Sequence, residues 1–279
     1  ICEKMDYSAH NSPKVFNRGF LYETSRGCPF QCSYCNTETH RRLYRKKSIV
    51  KIKRELEEMV YKHGAEYVYF IDESFGYDND WITKVIDVLK DLPVEWGCQG
   101  NLKFTTPEKL RKMAESGCIN MEFGFETFNY DILKKSKKIN DLDRAKEVLE
   151  SAIDVGISPV LFLLVGLPGE SLETLKNTVD FLKSLRSGFR FSTGIPIPYP
   201  NTEYYRKGVK EGIIKPGQDD ESLYELSGII GNNLFWNIEK KNEFFNKYGP
   251  NIWGNKLNLE RFENDLFDCF ETRKELNHV

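Results

Sequence analysis

The 279-residue chain lacks a long apolar run and an excess of charge of either sign. Its longest apolar run, VLFLLV at residues 160–165, is far shorter than the ~20 residues that a membrane-spanning helix needs. Lys and Arg (40) nearly balance Asp and Glu (42), for a formal net charge of −2, so no overall field attracts nucleic acid or a membrane surface. No secretory signal, low-complexity segment or repeat of fixed period is visible. We therefore expect a globular protein with neither a nucleic-acid nor a membrane partner.

The cysteines do not form the pattern of a disulfide framework. They number seven, which is odd, and such frameworks are denser and evenly paired. Four stand singly along the chain: Cys2, Cys98, Cys118 and Cys269. This usage favours a reducing compartment and hence a cytoplasmic protein.

Short apolar runs alternate with amphipathic helical patterns between residues 20 and 211. The runs lie at 20–24, 67–72, 94–99, 119–125, 159–165 and 189–196, and the helical patterns at 48–63, 81–92, 106–117, 141–155 and 171–185. Runs rich in β-branched and aromatic residues are typical of buried parallel strands. Strict alternation predicts a parallel sheet with right-handed crossovers.

The length of this region limits the architecture. An eightfold barrel needs about 250 residues, and residues 20–211 provide about 190. The sequence therefore predicts an α/β fold, a partial six-stranded (β/α)6 TIM-type barrel, with a mainly helical C-terminal extension. The predicted divisions are a lead-in at 1–19, a core at 20–211 and an extension at 212–279, which closes with a helix at 257–276.

The extension has two interpretations. It is either a helical cap on the open barrel or a lid that covers a substrate with aromatic side chains. The candidate lid residues are Phe235, Trp236, Phe245 and Trp253.

Three cysteines, Cys28, Cys32 and Cys35, lie within eight positions in the loop after the first predicted strand. In barrels of this kind the chemistry gathers at the carboxyl ends of the strands. Structural zinc takes four ligands, and here the fourth could only be His40 or a distant cysteine. A [4Fe–4S] cluster normally takes four thiolates, and three would leave one iron open to another ligand.

The segment CPFQCSYC resembles the signature of the radical S-adenosylmethionine (SAM) superfamily, CxxxCxΦC with Φ aromatic, and Tyr34 stands at the aromatic position. The resemblance implies a [4Fe–4S] cluster on the three cysteines, with SAM bound at the open iron. It implies reductive cleavage of SAM to a 5′-deoxyadenosyl radical that abstracts a hydrogen from a small-molecule substrate. It also implies an electron donor such as flavodoxin or ferredoxin, and it leaves His40 as a loop residue.

The resemblance extends to the ends of the other predicted strands. It implies that Tyr34 lies beside the adenine, that Asp72 or Glu73 of YFIDESF binds the methionine amine, and that Glu126 of GFET faces the ribose or methionine portion. Lys138 would bind the cofactor carboxylate. The alternatives are that the DES triplet caps the next segment and that LKKSKK is a solvated helix face.

The remaining candidates line the adenine side or add polar contacts. The resemblance implies an adenine-side turn at Val165 and Gly166 of FLLVGLPGES, and a stiff wall at Pro196. Gln99 and Asn101 offer further polar contacts after the third strand. Phe162 and Leu163 stand where some relatives carry an acidic residue, and Cys98 is expected to be a buried small residue.

The motifs look most like the branch that contains cobalamin-binding enzymes, methylthiotransferases and coproporphyrinogen-type oxidases. Thr37 replaces the further cysteine of the oxidase type, and the extra modules of methylthiotransferases do not appear. Only about 19 residues precede the first strand and the chain begins at Ile1, so a cobalamin domain is expected to lie in a segment upstream. The sequence favours C-methylation or rearrangement of a small molecule with cobalamin. The alternatives are a cobalamin-free rearrangement, oxidation or decarboxylation, and a non-enzymatic zinc or cluster-binding scaffold.

Overall fold

A computed structural model describes residues 17–36, 43–218, 220–226, 230–231, 234–236, 238–248, 254–255 and 258–272. Most of the predicted lead-in, Thr37, His40 and Trp253 lie outside the described residues. Phe235, Trp236 and Phe245 lie in described elements, and their predicted role as a lid remains a prediction.

The strands and helices alternate as predicted through the first 200 residues. The strands are β1 Gly19–Tyr22, β2 Ser25–Arg26, β3 Arg45–Lys46, β4 Tyr67–Phe70, β5 Glu95–Gly100, β6 Cys118–Glu126, β7 Ser158–Leu164, β8 Arg190–Gly194, β9 Leu234–Trp236, β10 Gly254–Asn255 and β11 Phe270–Thr272. The helices are α1 Ile49–Glu57, α2 Asn79–Lys90, α3 Pro107–Glu115, α4 Tyr130–Lys135, α5 Ala145–Asp154, α6 Leu172–Ser184, α7 Glu203–Lys210, α8 Asp220–Leu226, α9 Ile238–Tyr248 and α10 Leu259–Phe267.

The main sheet has the order β1-β4-β5-β6-β7-β8-β10. β1, β4, β5 and β6 pair in parallel, and β10 joins the far edge antiparallel to β8. Each predicted run corresponds to one of the first six strands in this order, which confirms the α/β class. Among the described residues, no helix is long and apolar enough to cross a membrane.

Local signals set the helix ends. The Thr106 side chain accepts a hydrogen bond from the Lys109 N–H at the start of α3, and Pro107 occupies its first turn, where a missing N–H costs nothing. Gly117 follows α3 with φ +93°, a conformation that favours glycine. At α6, Ser171 and Thr174 form a capping box.

One predicted helix was wrong. The stretch at 257–276 was expected to be helical, but α10 ends at Phe267 and the chain then forms β11. β11 pairs antiparallel with β9, so its backbone groups are satisfied by a strand distant in sequence. A short π-helical turn at Glu58–Lys62 also extends α1.

Gly97 in β5 leaves room for a hydrogen bond that crosses over it. The Tyr67 hydroxyl, on β4, donates to Asn120 Oδ1 on β6 at 2.5 Å. A Cβ at position 97 would collide with both of these atoms. Tyr67 and Asn120 are fully buried, so neither side chain can move into solvent.

The chain divides into two compact units. The first unit comprises Ile1–Pro29, Arg41–Gly124 and Asp143–Val160, and the second comprises Phe30–His40, Phe125–Leu142 and Leu161–Val279. This division does not follow the boundary predicted at residue 211, and the predicted domains remain a prediction.

We predict that Gly97→Ala lowers the free energy of unfolding of the cluster-free protein by about 1–3 kcal/mol, because overpacking forces buried neighbours to shift. Gly194→Ala is the matched control, since a Cβ there meets Leu164 Cδ2 at 3.5 Å, an ordinary contact. Denaturant unfolding of both variants measures the difference. Equal stabilities would show that the Tyr67–Asn120 bond does not restrict position 97.

Candidate active site

In the first unit, Asp72 fixes the beginning of the cysteine loop. It is 0 % exposed and follows β4. Its Oδ2 accepts the Thr24 N–H at 2.9 Å, and its Oδ1 accepts the Thr24 hydroxyl, the Ser25 N–H and the Ser25 hydroxyl, each at 2.5 Å. Burial raises the pKa of Asp72, although these hydrogen bonds act in the opposite direction.

Glu73 and Ser74, which follow Asp72, contact the same loop at Gly27 and Cys28. Glu73 Oε2 accepts the Gly27 N–H at 2.7 Å, and Gly27 has φ +92°. The Ser74 hydroxyl donates to Cys28 Sγ at 3.1 Å. The DES triplet thus positions the loop up to its first cysteine, and this geometry favours a positioning role for Asp72. Binding of the methionine amine by Asp72 or Glu73 remains a prediction.

In the second unit, Glu126 and Lys138 form a buried ion pair beside two of the cysteines. Lys138 Nζ lies 2.8 Å from Glu126 Oε1, and the side chains are 15 % and 8 % exposed. Burial alone would lower the pKa of Lys138, but Glu126, together with Cys32 and Cys35, raises it overall. Two residues that the sequence places twelve positions apart are therefore brought together next to the motif.

Glu126 itself is held in an uncommon backbone conformation. It is the last residue of β6 and has φ +67°, which costs about 1–3 kcal/mol for a residue other than glycine. Such outliers cluster at ligand sites, where neighbouring structure fixes them. This conformation ends the strand and places Glu126 against Lys138.

Tyr34 lies between Cys32 and Cys35 in sequence and carries a buried polar atom. Its hydroxyl is buried and makes no hydrogen bond of normal geometry among the described residues. Burial, followed by the nearby Glu126 carboxylate, raises its pKa well above the ordinary value. Its ring packs against a hydrophobic cluster of Tyr204, Ile214, Leu223 and Ile230.

The predicted adenine-side turn contains a carboxyl group that sequence reasoning missed. The Gly166 N–H donates to Glu170 Oε2, and Gly166 has φ +95°. Glu170 is 3 % exposed, and burial raises its pKa to about 8, against the opposing hydrogen bonds from Gly166 and Leu167. In the sequence, Glu170 is adjacent to the helix cap Ser171, and nothing there distinguishes it from a solvated acidic residue.

The remaining candidates differ in what they contact. Val165 is buried and its N–H donates to the Gly194 carbonyl at 2.9 Å. Asn101 Oδ1 caps a short 3₁₀ turn through the Lys103 N–H at 2.9 Å. Gln99 is exposed, and Pro196 is buried after β8. Cys98 is fully buried, in agreement with the expectation of a structural thiol.

The three motif cysteines fit an iron–sulfur cluster by their chemistry. None of them forms a disulfide, and a cation, Lys138, lies beside two of them. Across the described ranges, no group of three or more His, Cys, Asp or Glu side chains stands ready to hold a metal ion. Three thiols from one short loop are nevertheless the kind of donor set that an iron–sulfur cluster takes.

We predict that Glu170 makes the protein less stable as the pH rises. A carboxyl group with a folded pKa of about 8 stabilises the fold fully below its ordinary pKa near 4.5, and this contribution is lost as the pH rises towards 8. Between pH 6 and 8 the loss is about 2 kcal/mol. In thermal unfolding of the cluster-free protein, Glu170→Gln should remove this part of the pH dependence.

Glu173→Gln, an exposed neighbour in the first turn of α6, is the control and should keep the wild-type pH dependence. Identical pH profiles for Glu170→Gln and the wild type would contradict a neutral buried Glu170.

The chain is similar to two methyltransferases. It is 27 % identical over 260 residues to the cytidylyl-2-hydroxyethylphosphonate methyltransferase of Streptomyces wedmorensis, covering 87 % of this chain and 47 % of that protein. It is 26 % identical over 284 residues to the bacteriochlorophyllide d C-12(1)-methyltransferase of Chlorobaculum tepidum, covering 96 % of this chain and 62 % of that protein. The chain thus spans less than two thirds of the length of either relative.

Among solved structures, the fold is similar to that of TsrM from Kitasatospora setae. TsrM is a radical S-adenosylmethionine methyltransferase, and the structure contains cobalamin and a [4Fe–4S] cluster. The TM-score is 0.61 at 18 % identity, covering 72 % of this chain and 41 % of that chain. At this identity the likeness is one of fold, and it confirms the predicted partial barrel.

The family model for the radical SAM superfamily matches residues 22–182, which is more than half of the chain and includes the cysteine motif, the DES triplet, Glu126, Lys138 and Glu170. The two methyltransferase relatives agree with the branch that the motifs predict, which contains cobalamin-binding enzymes, methylthiotransferases and coproporphyrinogen-type oxidases. The chain belongs to the radical SAM superfamily of enzymes.

Proposed function

We propose that this radical SAM enzyme methylates a carbon atom of a small molecule in a cobalamin-dependent reaction. The observation that carries the SAM-binding part of the proposal is the buried Glu126–Lys138 pair beside Cys32 and Cys35. Support for methyl transfer comes from the two methyltransferase relatives, and support for cobalamin comes from the fold shared with TsrM.

Cys28, Cys32 and Cys35 are the residues that would hold the [4Fe–4S] cluster. When bound, the cluster supplies the electron that cleaves SAM into methionine and a 5′-deoxyadenosyl radical, with a one-electron donor such as flavodoxin or ferredoxin as the source. The protein binds and orients SAM and keeps water from the reacting groups.

The Glu126–Lys138 pair has the charges that the methionine end of SAM requires. That end carries an ammonium and a carboxylate, and the pair offers an acceptor for the first and a donor for the second. Because the pair is already buried, binding adds no further desolvation cost for Glu126 or Lys138, and only the charged groups of SAM lose their hydration. The buried Tyr34 hydroxyl offers one further donor on the same side.

We predict that Cys28→Ala, Cys32→Ala and Cys35→Ala each lose cluster iron and reduce 5′-deoxyadenosine formation to background. The assay uses anaerobically reconstituted protein with SAM, a reductant and cob(I)alamin, and separates the adenosyl products by chromatography. The wild type should form 5′-deoxyadenosine and, because methyl transfer from SAM leaves it behind, S-adenosylhomocysteine. His40→Ala is the control and should retain both products.

Three results would count against parts of this proposal. Colourless protein with stoichiometric zinc would contradict a cluster on these cysteines. 5′-Deoxyadenosine without any cobalamin-dependent S-adenosylhomocysteine, in protein that includes any segment encoded upstream of Ile1, would favour a cobalamin-free reaction. Loss of product in His40→Ala would assign His40 a role in the site.

We also predict that the Glu126–Lys138 pair binds SAM. Lys138→Met alone leaves Glu126 buried without its cation and should destabilise the protein by about 3–5 kcal/mol. The double variant Glu126→Gln/Lys138→Met removes both charges and should recover most of that stability. Its affinity for SAM, measured by equilibrium dialysis on cluster-loaded protein, should still fall at least tenfold. Wild-type affinity in the double variant would show that the pair is only structural.

A further inference from the structure

Ser74 contacts the first cysteine of the motif through its side chain. Its hydroxyl donates to Cys28 Sγ at 3.1 Å. Both residues are partly buried.

The position of Ser74 is fixed from both sides. Asp72, two residues earlier, is buried and accepts four hydrogen bonds from the loop. Phe75, the next residue, is buried and packs on Phe70 and Trp96. The Ser74 carbonyl also accepts the Tyr77 N–H at 3.1 Å. The Ser74 backbone is therefore held from both sides, and only the short Ser74 side chain separates it from the sulfur.

We propose that Ser74 raises the reduction potential of the cluster by hydrogen bonding to Cys28. The inference rests on the proposed function, because it requires that Cys28 ligates a cluster. Hydrogen bonds to cluster sulfurs are one of the means by which a protein sets the reduction potential. Partners of metal ligands also orient those ligands.

The direction of the effect follows from charge. The oxidised cluster accepts one electron from an external donor, and the reduced cluster carries one more negative charge, shared among iron, sulfide and the cysteine sulfurs. An O–H group that donates to a sulfur is attracted more strongly as the charge on that sulfur grows. The Ser74 hydrogen bond therefore stabilises the reduced form more than the oxidised form.

Four proteins test the proposal: the wild type and the variants Ser74→Ala, Ser74→Thr and Ser74→Val. Threonine and valine have similar shapes, and only threonine keeps the hydroxyl. The midpoint potential of each reconstituted cluster is measured by potentiometric titration of the EPR signal of the reduced form, alongside the iron content. Ser74→Ala and Ser74→Val should shift to more negative potential at unchanged iron content, and Ser74→Thr should remain at the wild-type value.

Ser116→Ala is the control for a lost serine hydroxyl elsewhere in the same unit. The Ser116 hydroxyl donates to the Met113 carbonyl at the end of α3, so its loss should not change the midpoint potential. A cluster potential that is equal in Ser74→Thr and Ser74→Val would overturn the proposal. Loss of the cluster in Ser74→Ala and Ser74→Val but not in Ser74→Thr would also overturn it, since the hydroxyl would then act in assembly. A wild type that binds no cluster would instead refute the proposed function.

Discussion

The hydrogen bonds from Thr24 and Ser25 to the buried Asp72 carboxylate are the interaction on which the cysteine loop depends. Parallel strands end side by side, so the loop that leaves β1 can be fixed from the end of β4. A buried carboxylate must be satisfied by several donors to offset the loss of its hydration. Asp72 meets this condition with four donors from two residues, and the loop therefore starts from one defined point.

In the second unit a buried charge is likewise compensated, here by a side chain of opposite charge. Glu126 and Lys138 are both removed from water, and their mutual attraction offsets the cost of burying each charge. The pair adds little net stability for that reason, yet removing one partner is costly. The proposed binding of SAM would give each member of the pair a ligand group of opposite charge.

The sequence predicted the parts of the fold that local patterns determine. The six core strands follow from periodicity, and Thr106, Gly117 and Ser171 lie at the ends of the predicted helical patterns 106–117 and 171–185. The C-terminal strand pairing of β11 with β9 does not, because a helical pattern was locally acceptable there and the partner strand is distant in sequence. The motif cysteines, Glu126 and Lys138 are predicted by resemblance, and the structure adds the ion pair between the last two.

The residues that sequence reasoning missed share one physical property: their role depends on a neighbour that only the topology provides. In the sequence, Glu170 resembles a solvent-exposed acidic residue, but in the structure the turn buries it, and it accepts the Gly166 N–H. In the sequence, Ser74 resembles any loop serine; its contact with Cys28 exists only because β4 pairs with β1 in the folded chain.

The DES triplet was interpreted either as a ligand for SAM or as a cap for the next segment. In the structure its three side chains each contact a different part of the loop, at Thr24 and Ser25, at Gly27 and at Cys28. Three polar residues after a buried strand can therefore position the neighbouring loop. The chemistry of each residue suits its partner: the Asp72 carboxylate accepts several donors, the Glu73 carboxylate accepts one N–H, and the Ser74 hydroxyl donates to a sulfur.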